Sequence, residues 1–132
     1  MKKEIQRYEN GVIKSICFED SGYAVYKFYN EKGQVEKEYS CRNGQYDGVY
    51  NEFFSNGQVY KRCSYKNGKL DGLYEEFNPK GERIASILYC DGVVVKNKTQ
   101  LTIYKIKRVF KVATHQIHMN NILKRNLKNY SR

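Results

Sequence analysis

Residue types able to do chemistry are few in this chain, and poorly spaced for it. The two histidines, His115 and His118, stand three apart, an interval at which two imidazoles on one helical face can share a metal. No carboxylate follows Asp91, and the neighbouring charges are lysines and arginines, so the pair lacks acidic co-ligands. Cys17, Cys41, Cys63 and Cys90 lie 24, 22 and 27 residues apart, with no CxxC or CxH pair. That is no zinc pattern. A cysteine nucleophile needs a base and a depressed pKa, and nothing in the sequence sets a histidine beside a thiol. The four cysteines read as small, half-buried strand residues in a reducing compartment. Glu75 and Glu76 are adjacent, hence on opposite faces of a strand, which is the wrong geometry for a paired acid and base. GxSxG, Walker A, GxGxxG and HExxH motifs are absent. These residues predict no catalysis, no metal and no cofactor.

The elements that position them are set by a repeat. Glycines fall at 33, 57 and 81, and again at 44, 68 and 92, a period of 24 in both series. Tyr26, Tyr50 and Tyr74 keep the same period, as do Tyr29, Phe53 and Phe77, and Val25, Val49 and Leu73. An earlier unit, ENGVIKSICFEDSG, keeps the 11-residue gap from Gly11 to Gly22 but is two residues short thereafter. Asn-Gly at 43–44, 56–57 and 67–68 and Asp-Gly at 47–48, 71–72 and 91–92 are turn dipeptides, so Gly33, Gly44, Gly48, Gly57, Gly68, Gly72, Gly81 and Gly92 are assigned to turns. About eight residues of period-2 alternation separate the turns: Val35, Lys37, Tyr39 and Cys41 on one face, Glu36, Glu38 and Ser40 on the other. The fold expected is mainly β: an elongated antiparallel β-hairpin repeat sheet over residues 1–95, with units near 9–32, 33–56, 57–80 and 81–95. Repetition is expected to stack like upon like, with the valines and leucine laddered on one face and Tyr26, Tyr50 and Tyr74 on the other.

The segments NGQYDGVYNEFFSNGQV (43–59) and NGKLDGLYEEFNPKGER (67–83) resemble the bacterial variant of the MORN repeat, and are similar in particular to YwqK-type antitoxins. The resemblance spans about residues 8–95 and weakens at both ends, where Asp-Gly is missing after Gly22 and is replaced by Val95-Lys96 after Gly92. It implies a β-hairpin repeat sheet and a role as an antitoxin or immunity partner that binds a toxin. It carries no catalytic residues.

Charge divides the chain as the repeat does. Residues 1–92 hold 14 basic and all 14 acidic residues, so the net charge of +10 belongs to the last 40. Apolar residues there recur at Ile103, Ile106, Phe110, Ala113 and Ile117, which is amphipathic helix spacing. A helix is expected from about 104 to 128, broken near Thr114–Gln116, with VVVKN and TQLTIY open to finishing the sheet as a strand. Residues 96–132 thus form a basic, helical tail. Three roles fit it: a cap over the last hairpin, a segment of little order, or a patch for RNA, DNA or anionic lipid built from Lys105, Lys107, Arg108, Lys111, Lys124, Arg125 and Lys128.

No run of about 18 apolar residues is present, and the basic N-terminus has no apolar stretch behind it, so a cytoplasmic location is the expectation. A one-layer sheet with aromatics on both faces cannot bury both. An exposed aromatic face marks a protein contact, and Tyr26, Tyr50 and Tyr74, with the non-repeating Phe54, Tyr60 and Arg62 assigned to the same face, are the candidate protein-binding residues. The function expected is a protein-binding repeat module, with polyanion or anionic-membrane binding by the tail as the alternative.

Overall fold

The computed structural model describes the backbone of residues 1–130 and all their side chains except those of His115, His118, Met119 and residues 122–130. The chain divides into two units, Met1–Val94 and Val95–Arg132.

The first unit is one antiparallel sheet in which strands follow one another in chain order, except that β7 and β8 share β6 as partner. Its strands are β1 (Lys2–Arg7), β2 (Ile13–Asp20), β3 (Tyr23–Tyr29), β4 (Val35–Arg42), β5 (Gln45–Phe53), β6 (Val59–Lys66), β7 (Lys69–Leu70), β8 (Gly72–Phe77), β9 (Arg83–Cys90) and β10 (Val93–Val94). β7 and β8 both pair with β6 and are successive parts of one path, interrupted at Asp71. Burial is thin, as a single layer requires: among the described residues only Ala24, Cys63 and Ser40 are buried, and no large side chain is fully enclosed.

Two kinds of reversal alternate. At one end lie two-residue turns at Ser21-Gly22, Asn43-Gly44, Asn67-Gly68 and Asp91-Gly92, with φ of 48–54° at the first residue and 78–81° at the second. These are type I′ values, matched to the right-handed twist of the strands. At the other end lie five-residue loops, 8–12, 30–34, 54–58 and 78–82, each closed by backbone hydrogen bonds. In two of them one asparagine accepts twice: Asn30 Oδ1 from the amides of Lys32 and Gln34, and Asn78 Oδ1 from those of Lys80 and Glu82.

Asp47-Gly48 and Asp71-Gly72 are not turns, which corrects the sequence expectation for Gly48 and Gly72. Gly48 lies inside β5, and Gly72 begins β8. Tyr39 pairs with Tyr50 and Cys41 with Tyr46, so Asp47, Gly48 and Val49 together oppose Ser40 alone. The physical reason is an enlarged bulge, three residues against one, held by the Ser40 hydroxyl, which donates to the Asp47 carbonyl at 2.6 Å. Ser64 donates to the Asp71 carbonyl at 2.5 Å in the next unit. Two extra residues per bulge account for the period: the β2–β3 pair has none, since Cys17 faces Tyr26 and Glu19 faces Ala24, and its unit is two residues shorter. The bulge aspartates also tie hairpins together. Asp47 Oδ2 accepts the Asn67 amide at 3.4 Å and Asp71 Oδ1 the Asp91 amide at 3.2 Å, each at the next type I′ turn.

The second unit holds one helix, α1 (Lys98–Tyr130). It starts earlier than expected and continues through Thr114–Gln116, so TQLTIY is helical and no strand forms there. The reason is local capping. Asn97 Oδ1 accepts the Gln100 amide at 2.9 Å, and Gln100 Oε1 reaches back to the Lys96 amide at 2.6 Å, a reciprocal arrangement close to a capping box. Thr114 returns its hydroxyl to the Phe110 carbonyl and so costs the helix no backbone bond.

Candidate protein-binding surface

Strand register assigns every side chain of the sheet to a face. On one face a row runs Glu4–Cys17–Tyr26–Tyr39–Tyr50–Cys63, continued by the pair Tyr74–Ile87. Like does not stack on like, as the repeat alone suggested. Repeat-related tyrosines are two strands apart, and Tyr39 or Cys63 from the intervening strand sits between them. Tyr39 stacks on Tyr26 at 5.0 Å and on Tyr50 at 5.8 Å, while Tyr46 meets it edge-on at 5.0 Å and 87°. Each such pair contributes about 0.5–1.5 kcal/mol beyond area burial.

Beside this row lies a second, of alternating charge: Phe28–Lys37–Glu52–Lys61–Glu76. Tyr50 donates to Glu52 Oε1 at 2.6 Å and Tyr74 to Glu76 Oε1 at 2.5 Å, and Lys61 Nζ closes on Glu52 at 3.1 Å. Partial burial alone would lift the Glu52 carboxyl; the Tyr50 hydroxyl and the Lys61 ammonium outweigh it and hold the group below its usual range. Burial pushes the Tyr39 phenol up to about 12, helped by its phenolic neighbour Tyr46. The Tyr50 and Tyr74 phenols are raised too, Tyr50 chiefly by burial and Tyr74 chiefly by its bond to Glu76. Burial likewise raises the Cys41 and Cys63 thiols, the opposite of what a nucleophile needs. On this face Tyr26, Tyr50 and Tyr74 hold one another's neighbours in place.

The opposite face carries the more open apolar surface. Pairings Phe18–Val25–Ser40, Val49–Ser64 and Leu73–Leu88 run along it. Phe18, Val25, Val49 and Leu73 are 41%, 37%, 56% and 50% exposed. A flanking row, Lys27–Glu38–Asn51–Arg62–Glu75, supplies charges of alternating sign and a buried acceptor, Asn51 Oδ1, with no hydrogen-bond partner among the described residues.

The six protein-binding candidates therefore do not share a surface. Arg62 neighbours Cys63 along β6 and so lies opposite the tyrosine row, over the Phe77 ring at 5.8 Å, and Tyr60 has the same strand parity. Alternation already contains this: an even-numbered β6 residue cannot share a face with Cys63. Phe54 and Tyr60 meet each other at 5.2 Å, at the loop end of the hairpin. Sequence reasoning missed Tyr39, the centre of the aromatic row, because it lies in the strand between repeated tyrosines. It also treated Val25, Val49 and Leu73 as architecture, though exposure now makes them surface. In α1, Lys105, Lys107, Arg108 and Lys111 are exposed, as are Ile103, Ile106 and Phe110. Lys124, Arg125 and Lys128 fall outside the described side chains, as do His115 and His118. Among the described residues no group of three or more His, Cys, Asp or Glu is placed to hold a metal, and no helix is long and apolar enough to cross a membrane.

Fold and surface together define a β-hairpin repeat sheet. A family model for the MORN repeat variant matches residues 46–67, from the first bulge to the turn at Asn67. No curated protein matches the chain. A solved structure titled "Crystal Structure of TarM" is similar with a TM-score of 0.45 and 15% identity, over 82% of this chain and 22% of that one, so the present chain spans less than a quarter of that structure's length.

Proposed function

We propose that the chain is a non-catalytic, protein-binding repeat module whose contact surface is the Phe18–Val25–Val49–Leu73 row, and that its partner is a toxin held in check by this binding. The observation that supports the reading is the row itself: four apolar side chains, each at least a third exposed, aligned across successive hairpins. An aligned row of exposed apolar side chains of this kind marks a protein contact. The antitoxin role draws on the likeness of the repeats at 43–59 and 67–83 to those of YwqK-type antitoxins.

The test is affinity capture with the full chain in high salt after nuclease treatment, comparing the natural sequence with Val49→Asp/Leu73→Asp. A stoichiometric partner retained by the first and lost by the second, and toxic when expressed without this chain, is the expected result. Capture unaffected by the double substitution would overturn the surface. A partner harmless on its own would overturn the antitoxin role.

A second reading rests on α1, whose described basic side chains are exposed and which contains no acidic residue. Under it the chain holds a polyanion, RNA, DNA or an anionic membrane surface, through the helix. Its affinity would fall steeply with salt in proportion to the phosphates contacted, whereas apolar docking on the sheet would be nearly salt-independent.

A further inference from the structure

The tyrosine face has one break in its aromatic cover, near the type I′ turns of β2–β5. There the row next to the tyrosines reads Glu19–Ala24–Cys41–Tyr46. Two small residues replace the bulky ones, and a notch of about 690 Å³ opens above them. Its floor is Ala24, one of the three buried residues of the sheet, with Cys41 beside it. Tyr39 forms the long wall, Tyr46 closes one end, and Glu19 stands at the other. The volume falls within the range that holds a ligand group together with its flanking chain.

Charge decides what the notch accepts. Glu19 is the only acidic or basic side chain of the lining. Lys2, directly opposite Glu19 on β1, closes on Glu4 at 2.7 Å and gives Glu19 only a weaker attraction at longer range. Burial disfavours the anions of the Tyr39 phenol and the Cys41 thiol and raises both groups. The lining thus presents one carboxylate and aromatic rings perpendicular to each other, at 87° between Tyr39 and Tyr46. A ring beside a carboxylate attracts a cation, and a flat guanidinium satisfies both, stacking on Tyr26, which lines the notch from the strand next to Glu19, while donating to the acid. A bare ammonium prefers its own hydration to an open notch.

We infer that this notch is a binding site for the guanidinium of an arginine side chain presented by a peptide or protein segment. The site lies on the face opposite the Phe18–Val25–Val49–Leu73 row, so it stands or falls independently of the proposed docking surface. It is read by amide NMR titration of the full chain with N-acetyl-arginine methylamide, against the neutral isostere N-acetyl-citrulline methylamide. Saturable shifts at Glu19, Ala24, Tyr26 and Cys41 are expected with the arginine probe, weakened about three- to tenfold by Glu19→Gln. Glu19 is exposed, so the variant should keep the dispersed spectrum of the folded sheet. Val49→Asp/Leu73→Asp should bind the probe unchanged, which separates this site from partner capture. Equal binding of citrulline, tighter binding of the lysine analogue, or no saturable shift at these amides would overturn the assignment.

Discussion

Replacing Gly48 by alanine isolates the device that sets the repeat length. Two costs are expected, and the structure separates them. The first is conformational: Gly48 has φ +106°, where an L-residue is strained, typically by about 1–2 kcal/mol, offset by about 0.4–1 kcal/mol from a less flexible unfolded chain. The second is steric. An added Cβ would stand 2.4 Å from Ser40 Oγ, the hydroxyl that donates to Asp47. Ser40 is only 8% exposed, so a displaced hydroxyl has little access to water. Losing the bond costs about 0.5–1.5 kcal/mol, and stranding its buried partner brings the penalty to about 1–3 kcal/mol. Gly57→Ala is the control, since Gly57 also has positive φ, +84°, but its Cβ would meet nothing within 4 Å. Urea unfolding should show Gly48→Ala less stable than Gly57→Ala by about 1–3 kcal/mol. In a Ser40→Ala background the excess should largely vanish, because Oγ is gone and Ser40 Cβ lies at an ordinary 3.7 Å. Gly72 and Ser64 repeat the experiment one unit on, at 2.5 Å. Equal costs at Gly48 and Gly57, or an excess that survives Ser40→Ala, would refute the bulge argument.

Three further outcomes follow from the same contacts. Asp71→Ala removes the acceptor for the Asp91 amide and should cost about 0.5–1.5 kcal/mol in urea unfolding; hydrogen exchange should quicken at Asp91 and Gly92 while the Asn43–Gly44 turn keeps its protection. The Tyr39 phenol is raised from 10.0 to about 12 in the fold, so the neutral form is the one the sheet favours. Its contribution is complete below pH 10 and is lost as pH rises through about 12; Tyr39→Phe should lessen the loss of stability across that window, the raised Tyr50 and Tyr74 phenols supplying the rest, and a tyrosinate absorbance titration in which Tyr39→Phe removes no late-ionising phenol would contradict the reading. Asn97→Ala removes the acceptor of the Gln100 amide and should lower helicity at the start of α1 by circular dichroism, with a loss of about 1 kcal/mol.

The repeat, the strand alternation and the Asn-Gly turns were legible in the sequence because each is local: two residues fix a type I′ turn, and parity fixes a face. Asp47-Gly48 was misleading for the same reason. The dipeptide carries the chemistry of a turn, and only Ser40, seven residues earlier, makes it a bulge. The two-residue shortfall before Gly33 was the available signal, since a shorter unit that keeps both reversals has to lack something inside a strand. Helix capping was also present as Asn97 and Gln100, but the β-branched run around Thr99 to Ile103 drew the reading towards strand. The candidate surface was harder to see. Period 24 links residues two strands apart, so the partner that touches each repeated tyrosine belongs to the other strand of the hairpin and never appears in the periodic list.

That offset explains why the two faces of the sheet have come to differ. In a single layer each row is held mainly by its lateral neighbours, so a row can be made rigid only if both strands of the hairpin contribute to it. The tyrosine face meets this condition: Tyr39 fills the gap between Tyr26 and Tyr50, and the hydroxyls of Tyr50 and Tyr74 are consumed by glutamates two residues on. The opposite face does not, because serine rather than a bulky residue pairs with Val25 and Val49. Those serines are committed to the bulges, where Ser40 and Ser64 bond backbone carbonyls. The bulge therefore does two things at once. It fixes the unit at 24 residues, and it keeps small side chains between Val25, Val49 and Leu73, leaving their methyl groups unfilled on one side and open to a partner.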